Sequence, residues 1–156
     1  MRFLIDIHLH SSHSRATSRD LTPENLHRWS ALKGLTVVGT GDFTHPAWIE
    51  ELRTKLEPAE EGLYRLKSEY RTPVERDLPA PCRGEVRFLL SVEISSIYKK
   101  HGRTRKVHNL VLMPDFASVD RLNRRLGEIG NLKSDGRPIL GLDSRDLVEV
   151  ALEACP

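Results

Sequence analysis

The apolar positions of this chain change period several times, and each change marks a switch between strand and helix. Phe3 to Leu9 is apolar except for Asp6 and His8, and the polar stretch Ser11-Ser12-His13-Ser14 follows, which predicts a strand. Thr22-Pro23 predicts a helix start, with Thr as N-cap, Pro at the first helical position and Glu24 near the positive end of the dipole. Leu26, Trp29 and Leu32 continue that helix, and Gly34 stops it. Leu35 to Thr40 is apolar and β-branched, the pattern of a buried strand. Pro46 opens a second helix, with Trp48, Ile49, Leu52 and Leu56 at helical spacing. Over residues 57–85 charges are frequent and Pro58, Pro73, Pro79 and Pro81 break any period, so we expect a loop-rich insertion with a short helix around 61–70. Val86 to Tyr98 and Lys106 to Met113 read as long strands joined by a polar turn, a β-hairpin. Ser118 to Ile129 is an amphipathic helix ending at Gly130, and Asp143-Ser144 caps a last helix through Ala154.

This alternation predicts an α/β fold, and 156 residues suit one domain spanning 1–156. The last predicted element is a helix, after which the alternation expects a strand, so the chain reads as the N-terminal part of a larger domain. The longest apolar runs are a few residues, far below the ~18 that a membrane span needs. The first ten residues place Asp6, His8 and His10 inside an apolar stretch, which is not the pattern of a signal peptide. Two cysteines are too few for a disulfide framework, and a reduced, cytoplasmic protein is expected. A net charge of +2 does not by itself indicate nucleic acid.

Seven histidines are the first unusual feature, and their placement carries the chemistry. His8 and His10 lie two apart on a predicted strand, so they project to one face and suit a transition metal. The second strand runs into Gly41-Asp42-Phe43-Thr44-His45-Pro46. Strand-end loops of a β/α protein carry its functional groups. Asp42 reads as a metal ligand or a turn residue, and His45 as a further ligand or the cap before Pro46. Glu93 sits in the apolar strand FLLSVEISSIY, where a carboxylate needs a partner, a cation or a solvated edge. His108 opens the strand HNLVLM as a ligand or an edge residue. Together these groups favour a metal cluster, and mixed His and carboxylate donors suit Zn, Mn or Fe better than Ca.

These motifs resemble the polymerase and histidinol phosphatase (PHP) superfamily of metal-dependent phosphoesterases. DIHLHSSHS is similar to its first motif, GTGDFTHP to its second, SVE to its third and VHNLVL to its fourth. The wording of HSSHSRATSRDLTPENL, GTGDFTHPAW, VEISSIYKKHGRTRKVHNLVLMPD and GRPILGLDSRDL resembles the endonuclease Q group and its helicase-fused relatives. The resemblance implies a distorted (β/α)7 barrel with two or three divalent metal ions (Zn, Mn, Fe or Mg) at the strand ends. It implies His8, His10, Asp42, Glu93 and His108 as ligands, His45 as a possible one, and Asp42 and Glu93 as the catalytic carboxylates. Asp6 would orient a histidine from behind. Where many relatives carry Ser-Asp-Gly and Asp-His, this chain has Arg15 nearby and Phe43 after Asp42. The family's late His and Asp-x-His pair have no counterpart before Pro156.

The implied chemistry is in-line attack on a DNA phosphodiester by a metal-activated hydroxide, as in a repair endonuclease nicking beside deaminated bases. This chain alone is expected to be weakly active or inactive. A small-molecule phosphatase, or a non-catalytic module attached to a helicase or polymerase, is the alternative. DNA is the expected partner, with a helicase domain as a possible second and no membrane. Lys99, Lys100, Arg103, Arg105 and Lys106 crowd the predicted hairpin turn and would contact a DNA backbone, or form a solvated tip. Phe43 and Tyr98 are candidates to stack on an extruded base; Trp48 has core spacing.

Overall fold

The computed structural model describes residues 3–155. Its frame is a sheet with the path β1 (Ile5–Asp6), β2 (Val37–Gly39), β5 (Arg87–Lys100), β4 (Tyr64–Leu66) and β3 (Leu56–Pro58). Strand β1 runs parallel to β2, and β2 parallel to the first residues of β5. From Leu90 to its end β5 pairs with β6 (Arg103–Met113) on one side, and at Ser95 and Ser96 it pairs with β7 (Ile139–Leu140) on the other. Among the described residues the sheet stays open, so the expected barrel is not formed by them.

The helix signals act as the sequence predicts. Thr22 caps α1 (Pro23–Lys33) by accepting from the Asn25 amide at 3.4 Å, and Gly34 ends it in the left-handed conformation. Pro46 opens α2 (Pro46–Lys55), which His45 precedes without a side-chain cap. Asp115 caps α4 (Phe116–Ile129) and Asp143 caps α5 (Ser144–Ala154). The strand of residues 3–9 pairs only at Ile5–Asp6, and that of 35–40 only at Val37–Gly39. The remainder bends into the loops that build the site.

Two expectations change. Residues 57–85 hold more regular structure than a loop-rich insertion: β3 and β4 form an antiparallel pair, α3 spans Ser68–Arg76 and a single 3-10 turn covers Ala80–Cys82. The helix lies C-terminal to the expected 61–70, because the chain reverses at Gly62 (φ 74°) and residues 64–66 join the sheet. The hairpin turn is also tighter than the polar stretch suggested. Only His101 and Gly102 form it, with φ of 52° and 70°, the backbone of a two-residue type I′ turn. The basic residues therefore lie on paired strands, where alternation fixes which way each points.

One apolar cluster holds these layers, with Trp48, Leu52, Phe88, Ile94, Leu122 and Leu126 fully buried. Trp48 also ties the core to the site: its indole Nε1 donates to Gly41 O at 2.9 Å. His27 is a titratable group buried outside the site. It is 1% exposed between α1 and α3, with neither ring nitrogen hydrogen-bonded. Burial, and then the Arg71 charge, push its pKa down to about 4. Glu75 lies 3.9 Å away but is shared with Arg71. The unfolded chain binds this proton near pH 6.5 and the folded chain does not, so stability falls as pH drops from 6.5 towards 4. The expected loss between pH 7 and pH 5 is about 2 kcal/mol. Thermal melts should show it in the native chain and not in His27→Leu; equal pH dependence in the two would refute it.

Candidate metal centre

Three imidazoles converge on one carboxylate. Glu93 projects from β5 and is 2% exposed. Its Oε2 lies 2.9 Å from His8 Nε2 and 3.0 Å from His10 Nε2. Its Oε1 lies against His108 Nδ1 but accepts no aligned hydrogen bond, and the Arg137 guanidinium stands 3.9 Å off. One ligand atom each from His8, His10 and Glu93 lie within 4.8 Å of one another, so these three can hold a metal ion. Burial disfavours the Glu93 charge, but the His8 hydrogen bond and the charges of His108, Arg137 and His10 outweigh it and hold the carboxyl below its ordinary range. Imidazole nitrogens with one anionic oxygen, one oxygen still poorly satisfied, are a donor set that fits a divalent transition metal.

Local structure explains the convergence. His8 and His10 follow β1 at one strand period, as expected. Ser95 pairs with His108 across the β5–β6 ladder, and Leu110 pairs with Glu93. Directly paired residues share a face, which puts Glu93 and His108 together although 15 residues separate them.

Asp42, expected as a metal ligand, lies on the opposite side of the His10 ring from Glu93. Its Oδ1 lies 3.1 Å from His10 Nδ1, and its Oδ2 accepts from the Ser11 amide (2.6 Å), the Ser11 hydroxyl (2.7 Å) and the Ser14 hydroxyl (2.8 Å). Burial opposes its charge, yet these bonds hold its carboxyl below the usual range. The same bond raises the His10 pKa. Asp42 thus fixes the Nδ1 side of His10 and leaves Nε2 facing Glu93, the carboxylate–imidazole arrangement that orients metal-binding histidines. Gly41 and Asp42 both take positive φ (62° and 51°), which turns the carboxylate under His10.

Several other expected site residues lie elsewhere. Asp6 accepts from the His8 backbone amide at 3.4 Å, so it steadies the loop. His45 stacks on His13 with centroids 4.4 Å apart, and burial, then the His13 charge, lower its pKa; it stands apart from the His8, His10 and Glu93 cluster. Phe43 is fully buried and packs in the core, so its ring is not available for stacking on a base. Tyr98 is five residues from Glu93 on the same strand, which turns it to the opposite face. Among the basic residues, Lys99 and Lys106 share the Glu93 face, whereas Lys100, Arg103 and Arg105 are on the other. Lys100 is paired with Asp143 at 2.6 Å. Ser11, Ser14, Gly136 and Arg137 belong to the site without having been singled out. The Ser-rich run after His10 is the signal for the two serines, and GRPILGLDSRDL contains Gly136 and Arg137.

No family model matches the chain. It is 29% identical over 147 residues to an uncharacterized protein of Methanocaldococcus jannaschii, a match covering 94% of this chain and 14% of that protein. It is similar to the crystal structure of PfuEndoQ, a lesion-specific endonuclease from Pyrococcus furiosus, with 29% identity and a TM-score of 0.72. A crystal structure of endonuclease Q in complex with a 27-mer duplex substrate, with an abasic lesion at the active site, gives 28% identity and a TM-score of 0.73. Both matches cover 96% of this chain, which spans 32% of each solved chain. The fold is thus endonuclease Q-like over nearly all of this chain, and no helix among its described residues is long and apolar enough to cross a membrane.

Proposed function

We propose that this chain carries the metal-binding part of an endonuclease acting on damaged DNA, with deaminated bases or abasic sites as the lesions. The observation that carries this reading is the convergence of His8, His10 and His108 on Glu93, within a fold similar to a lesion-specific endonuclease. His8, His10, Glu93 and His108 hold the divalent ion, and Zn, Mn or Fe suit these donors. When bound, the ion supplies Lewis acidity towards a phosphodiester and activates water near neutral pH. Asp42 keeps His10 in one orientation. Arg137, beside Glu93, adds positive charge where phosphate oxygens would gather. Lys99 and Lys106, on the Glu93 face of the hairpin, attract the DNA backbone.

Metal analysis and DNA assays test this reading. The native chain is expected to retain divalent metal, and His8→Ala/His10→Ala to lose it. With Zn, Mn or Mg added, the native chain should bind an abasic, uracil or hypoxanthine duplex more tightly than an undamaged one, and any nicking should require the metal. Unchanged metal content in the double variant would overturn the ligand assignment. Turnover of a phosphomonoester with no DNA binding would assign a small-molecule phosphatase instead.

A further inference from the structure

Behind the loop that carries Asp42 lies a cleft of about 680 Å³ between the start of α2 and one side of α4. Thr44 and Ile49 line it from the first side, Asn123, Arg124 and Gly127 from the helix, and Lys133 from the following loop. Its size is within the range of ligand sites, roughly 300–1,000 Å³. We propose that this cleft is a phosphate subsite that takes a backbone phosphate of a nucleic-acid strand flanking the metal centre. The proposal rests on the nuclease reading for the source of the phosphate, but the cleft's own chemistry stands apart from it.

Charge is the first argument. Arg121 and Arg125 on the same helix are committed elsewhere: Arg121 donates to Ala154 O and Ser118 Oγ, and Arg125 pairs with Glu128 and Glu153. Among the described residues neither Arg124 nor Lys133 forms an ion pair. Asp120, the acid at the cleft, is held by Arg53. Two unneutralised cations therefore line a recess with Ile49 and Leu132 in its wall.

Connection to the metal centre is the second argument. Asn123 Nδ2 donates to Phe43 O at 2.9 Å, and Thr44 Oγ1 donates to Gly136 O at 3.4 Å. The cleft lining is thus hydrogen-bonded to the loop that carries Asp42. A strand reacting at Glu93 has phosphates on either side of the scissile one, and a cationic recess on the next loop can hold one of them and fix the strand's path.

Two variants separate charge from space. Arg124→Gln/Lys133→Gln removes the cations at exposed positions. Gly127→Leu fills the cleft without touching a charge, since a Cβ there meets only Leu132 Cδ1 at 4.0 Å. The probes are an abasic 27-mer duplex, read by fluorescence anisotropy at several salt concentrations, and inorganic phosphate, read by amide NMR at Asn123, Gly127 and Lys133. The double variant should bind the duplex about tenfold more weakly, with a salt slope lower by about 1. Gly127→Leu should weaken binding with little change of slope, and metal content should be native in both. Phosphate should shift the three amide signals in the native chain and not in either variant. If phosphate shifts them but duplex binding is equal in all three proteins, the subsite stands with a small phosphorylated ligand as its source. Native duplex affinity and salt slope in the double variant, with no phosphate-induced shifts, overturn the proposal. A native chain that binds no DNA sinks the nuclease reading, and the phosphate titration then decides the cleft alone.

Discussion

Glu93→Gln is expected to lower metal affinity by at least 100-fold while leaving the chain folded. The carboxamide keeps the size of the side chain, so the buried strand position is filled as before. It removes the one anion towards which three imidazoles are turned. Without it the ion loses a donor and a charge, because the carboxylate supplies both a ligand oxygen and the negative charge that offsets the ion's. A second effect appears without metal. His10 is held protonated above its ordinary range first by the Asp42 hydrogen bond and further by the Asp42 and Glu93 charges. Loss of the Glu93 charge should lower the His10 pKa, visible by NMR, while the Asp42 bond keeps part of the elevation. Metal content by elemental analysis, and the rise in Tm on adding Zn or Mn, give the main readout. The native chain should gain stability with added metal because binding favours the folded state, and Glu93→Gln should gain none. Equal stabilisation of both proteins would remove Glu93 from the centre.

The parts of this site that could be read from the sequence depend on local period; the rest depend on long-range contacts. His8 and His10 are legible because a strand has period 2, and Glu93 because a charge inside FLLSVEISSIY needs an explanation. Helix starts at Pro23 and Pro46 and the stop at Gly34 follow from backbone chemistry that no tertiary contact overrides. Alternation also carries information that a list of charged or aromatic residues hides. Tyr98 is an odd number of residues from Glu93, and Arg103 and Arg105 pair with residues of Tyr98's face, so the hairpin separates them from the metal centre. Residues 57–85 resist reading because three-residue strands are too short to show a period, and their place in the sheet is set by pairing with β5. The partners of Asp42 are the part of the site that no local pattern shows. The residue's type and position mark it, yet only the chain reversal at Gly41 decides that it faces Ser11, Ser14 and the far side of His10.

Gly136→Ala should disable the centre although Gly136 touches no metal ligand with a side chain. The Gly136 amide donates to His13 O at 3.0 Å and its carbonyl accepts from Thr44, so its backbone is held between the two loops that build the site. A Cβ there would lie inside contact distance of the Asp42 carboxylate and 2.6 Å from Ser14 Oγ. Asp42 is fully buried and bonded on both oxygens, so it cannot yield by a small rotation into water. Either the carboxylate leaves His10 or the 136 segment is pushed outward, and each course loosens the orientation of the imidazole. Losing such a support typically lowers metal affinity 10–100-fold, and the upper end is expected because the same clash also strains the Ser14 contact. The overpacking itself should cost about 1–3 kcal/mol of stability. Gly141→Ala is the control, since a Cβ there meets nothing within 4 Å. Metal titration of the folded variants followed by calorimetry separates the two effects. If Gly136→Ala binds metal as tightly as the Gly141→Ala control, the packing of Gly136 on Asp42 does not set the geometry of His10.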